Sequence, residues 1–236
     1  MKRDYFVSVA MATYNGEKYI KEQLDSILSQ LSINDELIIS DDGSKDGTVD
    51  IINKYIKKDK RIKLFDGPKK GVIKNFENAI SYCSGKYIFL SDQDDIWMNN
   101  KVEKVLLTFN NERCTCVVHD AVVFNSNNGE IVADSFYKLR KSKNGIIKNI
   151  WKNSYIGCCM AFDEKMKKKI LPIPDDIEMH DQWIGLLNDK YGKSIFIDDK
   201  LLKYRRHDNN VSSLSHHKLS KMLKNRKIII SKIMRG

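Results

Sequence analysis

The chain is poor in proline and has no paired-cysteine motif. With only 3 prolines in 236 residues and 42% hydrophobic residues, it has the composition of a globular protein, not a disordered one. Its five cysteines (Cys83, Cys114, Cys116, Cys158 and Cys159) include no Cys-x-x-Cys pair. Neither a zinc site nor a disulfide framework is indicated, and reduced, buried thiols are expected. No apolar run approaches the ~18–20 residues of a membrane span. Met1-Lys2-Arg3-Asp4 leads directly into a strand pattern, so no secretory signal is expected and the chain reads as cytoplasmic. Gly-x-Gly-x-x-Gly and a Walker loop are missing, which argues against a dinucleotide site and a phosphate loop.

Acidic residues are also missing after Asp208. That tail carries Lys218, Lys221, Lys224, Arg226, Lys227, Lys232 and Arg235 and holds much of the net charge of +10. Such an excess implies an anionic partner. The rest of the chain is nearer balance, which argues against a nucleic-acid groove across the domain.

What is present is alternation. Tyr5–Ala12 reads as a buried strand, broken by Thr13-Tyr14-Asn15-Gly16. Tyr19, Ile20, Gln23, Leu24, Ile27, Leu28 and Leu31 follow at helical spacing. Glu36–Ser40 is a second strand, ending in Asp41-Asp42-Gly43-Ser44, and a helix follows with Val49, Ile52 and Ile56 inward. Arg61–Phe65 is a third strand, and Ile73–Tyr82 a helix with Phe76, Ala79 and Ile80 inward. Tyr87–Leu90 is a fourth strand, running into Ser91-Asp92-Gln93-Asp94-Asp95. This order predicts an α/β, doubly wound, mostly parallel sheet.

The second half is less regular. Cys114–Phe124 reads as a long strand, with a hairpin through Asn125–Gly129 to Glu130–Ala133. Tyr155–Phe162 reads as a strand, and Asp163 as the cap of a helix through Ile170. Trp183–Leu187 is helical, and Ser194–Ile197 and Leu201–Tyr204 are two short strands. One domain is expected over residues 1–215, its nucleotide-side half ending near Asn110, followed by a basic amphipathic helix over 216–236.

Three loops carry candidate chemistry, because ligands of open α/β sheets bind beyond the carboxyl ends of strands. Tyr14 could stack on a nucleobase, or simply pack in a turn. Asp41 and Asp42 could accept hydrogen bonds from a base N–H and ribose hydroxyls, or form an Asx turn with helix caps. Asp92, Asp94 and Asp95 repel one another unless a cation or solvent screens them. A divalent metal shared with substrate phosphates meets that need, and a solvated acidic turn is the alternative. Trp97 and Trp183 fit either a sugar site or the core, and Gly157 either a close acceptor approach or a strand bend. His180, His216 and His217 read as surface residues.

Together VSVAMATYNG (7–16), IISDDGSKDGT (38–48) and GKYIFLSDQDDIW (85–97) resemble family 2 glycosyltransferases, inverting nucleotide-sugar enzymes of the GT-A fold. His180-Asp181-Gln182-Trp183 and Tyr204-Arg205-Arg206-His207-Asp208-Asn209-Asn210-Val211-Ser212 extend the likeness to the branch with bacterial rhamnosyltransferases of surface polysaccharides. The resemblance covers roughly Tyr5 to Ser213. It implies a GT-A domain with a smaller acceptor-side mixed sheet. It also implies base binding by Thr13, Tyr14 and Asn15, with Asp41 or Asp42 reading the base. Asp92 then faces the ribose, Asp94 and His207 the metal, and Asp181 is the catalytic base. Lys74 and Asn75 lie near phosphate and ribose contacts, the phosphate contact staying open between Lys70 and Lys74.

Sugar transfer needs a stabilised leaving diphosphate, a base for the acceptor hydroxyl and in-line positioning. Asp94 with Mn²⁺ or Mg²⁺, helped by His207 and Arg205, suits the first, and Asp181 the second. The expected donor is a UDP- or dTDP-sugar, with rhamnose favoured by the resemblance, and the acceptor a glycan or lipid-linked sugar. A sugar-phosphate nucleotidylyltransferase would open with a Gly-rich loop, and a non-catalytic nucleotide-sugar-binding module would lack Asp181 and His207. In the tail, Leu219, Met222, Leu223, Ile229, Ile230, Ile233 and Met234 recur at helical spacing among cations. Such a helix can lie on an anionic membrane, here the inner face of the plasma membrane, or pack on protein.

Overall fold

A computed structural model describes residues 5–207 and 219–235. The apolar runs of the first half become strands buried along nearly their whole length: β1 (Val7–Thr13), β2 (Glu36–Asp41) and β4 (Tyr87–Ser91). β3 (Ile62–Asp66) completes the parallel set as its edge. Strands buried on both faces have to read as continuous apolar segments, and these do. Between them run α1 (Ile20–Leu28), α2 (Thr48–Ile56) and α3 (Val72–Tyr82). Ile20, Leu24 and Ile27 of α1 and Phe76, Ala79 and Ile80 of α3 are fully buried, as their spacing predicts.

The sheet continues without a break into the second half. Its order is β3-β2-β1-β4-β8-β6-β9-β5, with β7 paired to β6. The added strands are β5 (Ile96–Trp97), β6 (Cys116–Asn125), β7 (Ile131–Ala133), β8 (Met160–Asp163) and β9 (Ser194–Arg206). The strands of the second half therefore extend the sheet of the first, with β8 antiparallel to both β4 and β6. The β6–β7 hairpin is present as expected.

Other expectations need correction. The segment Tyr155–Phe162 is a strand only from Met160, because Gly157–Cys159 forms a 3-10 turn. Ser194–Ile197 and Leu201–Tyr204 are one strand, β9, whose pairing with β6 shifts register near Asp120. Such an irregularity lets a strand cross a polar interruption, here Asp198 to Lys200, without ending. Three helices had no counterpart in the sequence reading: α4 (Lys101–Glu112), α5 (Phe136–Arg140) and α6 (Ile146–Trp151). α4 was hidden by a lysine on its inner face: Lys101 is fully buried beside Val102, Val105 and Phe109. Asp163 caps as expected, accepting from the Lys165 N–H, ahead of a 3-10 turn and α7 (Lys167–Ile170). α8 (His180–Tyr191) follows, and α9 (Leu219–Arg235) packs on α6 and α8. All five cysteines are unpaired and buried.

Candidate active site

The carboxyl ends of β1, β2 and β4 lie side by side, with Thr13 opposite Asp41 and Met11 opposite Ser91 in the register. The loops leaving them therefore converge. Asp41 is buried and its carboxylate accepts from Thr13 Oγ1 (2.8 Å), the Ser44 N–H (2.7 Å) and Ser44 Oγ (2.6 Å). Asp42 accepts from the N–H groups of Lys69 (2.6 Å) and Gly71 (2.7 Å), pinning the loop before α3. Asn15 bridges to the next loop: its N–H donates to Ser44 Oγ, and its Oδ1 accepts from the Lys45 N–H. Asn75 is buried, donating through Nδ2 to the carbonyls of Thr13 (3.1 Å) and Ser40 (2.9 Å). Lys74 holds Glu77, Asp175 and the Ile173 carbonyl, each at 2.6–2.8 Å. Lys70 remains exposed.

Tyr14 keeps its side chain 53% exposed, while its backbone is clamped by Gln93. The Tyr14 N–H donates to Gln93 Oε1 (2.9 Å), and Gln93 Nε2 donates to the Tyr14 carbonyl (3.0 Å). A Cβ on Gly16 would lie 2.3 Å from Gln93 Oε1, so this clamp requires glycine there. The residue between the two aspartates thus ties the loop after β1 to the acidic loop after β4. The sequence signal for it was only an amide at that position.

The acidic loop is arranged differently. Asp94 Oδ2 lies 2.7 Å from His207 Nε2, and the His207 ring stacks on Tyr19 at 4.8 Å. Arg205 reaches the same loop: its N–H donates to Asp95 Oδ1 (2.9 Å), its Nε donates to the Asp94 carbonyl (2.6 Å), and its guanidinium pairs with Glu22. That guanidinium lies over the rings of Tyr19 and Phe124, 4.8 Å from each. The rest of the His207 motif, residues 208–212, lies outside the described residues.

The same loop also contributes to a largely buried cluster, of which Asp92 is the most accessible member. Ligand atoms of Asp92, Asp95 and Cys158 lie within 4.8 Å of one another. Asp95 is buried, and its Oδ2 has no hydrogen-bond partner among the described residues. Burial first, then the neighbouring Asp94 and Asp92, push its carboxyl well above the ordinary range. Burial, then Asp94 and Asp181, push Asp92 up to about 7. The balancing cation is Lys101, whose Nζ donates to the Cys158 carbonyl (2.7 Å) and lies 4.0 Å from the centre of the Trp97 ring. Burial lowers its ammonium to about 8. The Cys158 thiol is held protonated by its bond with Cys159 and by burial.

Asp181 sits in the first turn of α8, and it does not cap the helix, because Met179 occupies the N-cap position. Its Oδ1 accepts from Asn153 Nδ2 (3.1 Å) and the Gln182 N–H (2.6 Å). Burial pushes the carboxyl up to about 6 against those bonds. His180 is not a surface residue: it is buried, stacked on Phe76 at 4.1 Å, and pushed down to about 3 by burial. A Cβ on Gly157 would come within 2.8 Å of His180 Nε2. Trp97 and Trp183 are both core residues.

The structure thus gathers Thr13, Tyr14, Asn15, Asp41, Asp42 and Asn75 at one lip of a sheet-edge site. Asp92, Asp94, His207, Arg205 and Asp181 form the other. The ammonium of Lys74 is engaged with α3 and the segment before α8. Gln93, Lys101, Asn153 and Cys158 were not singled out as site residues by the sequence reading, whereas Asp95 was named there among the three repelling aspartates. Lys101 alone left a usable trace, as a cation in register with the apolar face of α4.

Known proteins resemble this chain in sequence and in fold. The family described as "Glycosyl transferase family 2" matches residues 8–171. A relative in Escherichia coli, "UDP-Glc:alpha-D-GlcNAc-diphosphoundecaprenol beta-1,3-glucosyltransferase WfgD", is 29% identical over 89% of this chain and 81% of its own length. An uncharacterized glycosyltransferase of Methanocaldococcus jannaschii is 31% identical over 90% of this chain and 76% of its own. Among solved structures, Staphylococcus aureus TarS 1–349 in complex with UDP-GlcNAc superposes with a TM-score of 0.76 at 17% identity. That match covers 98% of this chain and 67% of TarS 1–349, and carries the GT-A fold. The chain belongs to glycosyl transferase family 2, and it is a glycosyltransferase.

Proposed function

We propose that the chain transfers a sugar from a UDP- or dTDP-sugar to a glycan or lipid-linked acceptor, with inversion, in building a cell-surface polysaccharide. The observation that carries this reading is the placement of the buried Asp181 carboxylate beside the acidic loop at the carboxyl edge of the sheet, close enough to raise Asp92. The diphosphoundecaprenol in the name of the Escherichia coli relative supports a lipid-linked acceptor, and its UDP-glucose a uridine nucleotide. The dTDP alternative and a rhamnosyl group rest on the resemblance of the late motifs.

The geometry supports the following roles. Tyr14 stacks on the base, between loops fixed by Asp41, Asp42 and Asn15. The buried Asn75 carboxamide holds the ends of β1 and β2 together, which makes it a support for the ribose site. Lys70 is the cation left to meet the diphosphate. Asp181 accepts the proton of the attacking hydroxyl. Its carboxyl, raised toward 6, is a stronger base than an exposed aspartate and is still ionised near neutrality.

The residues present also fit a divalent cation. Adjoining carboxylates, one with an oxygen lacking a partner among the described residues, suit Mn²⁺ or Mg²⁺, and a neighbouring imidazole is compatible with Mn²⁺. Asp94 and His207 would hold it at the surface of the site, with Asp92 alongside. Cys158, protonated, is a poor ligand for either ion. Bound there, the ion would supply positive charge against the leaving diphosphate. Arg205 positions Asp94 and Asp95 through their backbone and side-chain oxygens.

A thermal-shift panel of UDP, dTDP, GDP and their sugars, with and without Mn²⁺, tests the reading, since ligands of the folded state raise its apparent stability. A shift with uridine or thymidine diphosphates that grows with Mn²⁺ is expected. A response to none of them, or to guanosine nucleotides alone, would overturn the donor assignment.

A further inference from the structure

The acid-free tail has a counterpart that only the fold reveals. From Ser135 to Phe162 the chain has no aspartate or glutamate, but it carries Lys138, Arg140, Lys141, Lys143, Lys148 and Lys152. This stretch contains α6, and α9 packs directly against α6. The parts of the two acid-free basic segments that form α6 and α9, far apart in sequence, therefore adjoin on one surface.

That surface is also apolar. Ile229 and Ile233 turn the inner side of α9 into the core, leaving another stripe outside. Leu223 is 52% exposed, Ile230 38% and Met234 78%. Arg226 lies one turn from both Leu223 and Ile230, and its guanidinium sits 5.1 Å from the centre of the Trp151 ring while pairing with the Trp151 carbonyl. Trp151 is 58% exposed, and Ile147, one turn earlier on α6, is 71% exposed. Lys148, Lys152, Lys224 and Lys227 are exposed around this stripe. The nearby acid Asp176 pairs with Lys232, which lies almost opposite Met234 around the helix. Exposed aliphatic side chains, a half-exposed tryptophan and unopposed lysines on one face are the chemistry of a surface that meets lipid headgroups.

We propose that α6 and α9 together form a docking face for an anionic membrane. The face is joined to the reaction centre by α6 itself. Asn149 is buried on the inner side of α6, and its carbonyl accepts from Gln182 Nε2. Asn153, just past the end of α6, donates to Asp181. A helix whose outer residues sit in headgroups thus sets its inner residues against the base, and an acceptor sugar carried on a lipid arrives beside Asp181. This deepens the lipid-linked reading of the acceptor and rests on it for its purpose. The surface itself rests on charge and exposure alone.

The test is co-sedimentation of the full chain with vesicles of phosphatidylglycerol mixed into phosphatidylcholine, and of phosphatidylcholine alone. The chain is expected to pellet with the anionic vesicles, to pellet poorly with the neutral ones, and to lose binding as salt screens the surface charges. The double variant Ile147→Ser, Met234→Ser alters two side chains that stand largely in solvent, so folding is preserved. Its vesicle binding should fall at least ~10-fold, as should that of Lys148→Glu, Lys152→Glu, a reversal of charge next to a negative surface. Thermal shifts with nucleotide should be unchanged in both variants. Equal pelleting with both vesicle types, no pelleting at all, or variants that bind like the parent would overturn the proposal. So would loss of a concentration-dependent dimer in the variants without any vesicle binding, which would make the face a contact between copies. If vesicle binding behaves as expected while no nucleotide shifts the melting temperature, the donor reading fails and the docking face stands.

Discussion

The two lips of the site differ in how their polar groups are satisfied. At the lip formed by β1 and β2, each carboxylate is saturated by backbone and hydroxyl donors: Asp41 by Thr13, Gly43 and Ser44, and Asp42 by Lys69, Lys70 and Gly71. At the lip formed by β4 and α8, carboxylates face one another. Asp92, Asp95 and Asp181 all lie above the ordinary carboxylate range, and Asp95 Oδ2 lacks a partner among the described residues. The first lip is finished before a ligand arrives. The second gathers carboxyls whose nearest buried cation among the described residues is Lys101, and a ligand or cation can complete it. Unsatisfied buried polar groups are costly, so they persist where function uses them.

Removing the internal cation sharpens this contrast most. Lys101→Met should strand the buried Cys158 carbonyl and remove the cation that lowers Asp92, costing about 3 kcal/mol of stability, the upper end for a buried group left unpaired. Mn²⁺ should then restore more stability to the variant than to the parent, as paired melting curves would show. A variant equally stable, with the same Mn²⁺ response, would mean that Lys101 does not balance the cluster.

Next in size is the base. Asp181→Asn should lower transfer at least ~10²-fold while donor affinity stays close to that of the parent. In the parent, activity should fall as pH drops through about 6, because the raised carboxyl then takes up the proton it needs to accept. Transfer within a few-fold of the parent, with an unchanged pH profile, would remove Asp181 from the role.

At the saturated lip, Asp41→Ala should cost roughly 2–3 kcal/mol in denaturant unfolding, since it strands the donors of Thr13 and Ser44. If Asp41 is purely a brace, nucleotide affinity measured on the folded fraction should hardly move, and Asp42 is then the residue that reads the base. A large affinity loss without destabilisation would reverse that assignment. The smallest effect expected is at the metal: Asp94→Ala should remove most of the Mn²⁺-dependent part of UDP or dTDP affinity, about tenfold, in calorimetric titrations. Equal metal dependence in parent and variant would exclude Asp94 as a ligand.

The sequence alone determined the parallel opening of the sheet. Continuous apolar strands alternated with helical spacing, and turn chemistry marked each strand's end, so the loops carrying Tyr14, Asp41 and Asp92 had to share one edge. It also singled out Asp181 and His207, through their motifs and not through any local physical signal. Only the tertiary structure decided what surrounds those residues. Local pattern carries no information on burial across 60 or more positions, so it could not reveal that Asn75 bonds to the Thr13 carbonyl. It placed His180 in solvent because imidazole is polar, where packing against Phe76 buries it. It overlooked α4 because a lysine broke the apolar face, although that lysine is the buried counter-ion of the acidic loop. It left the tail open between packing and membrane. In the fold, α9 does pack, through Ile229 and Ile233, and in doing so it lines up its outer stripe with Trp151. Strand and helix follow from the period of the side chains, whereas charge balance and surface chemistry depend on which segments the fold brings together.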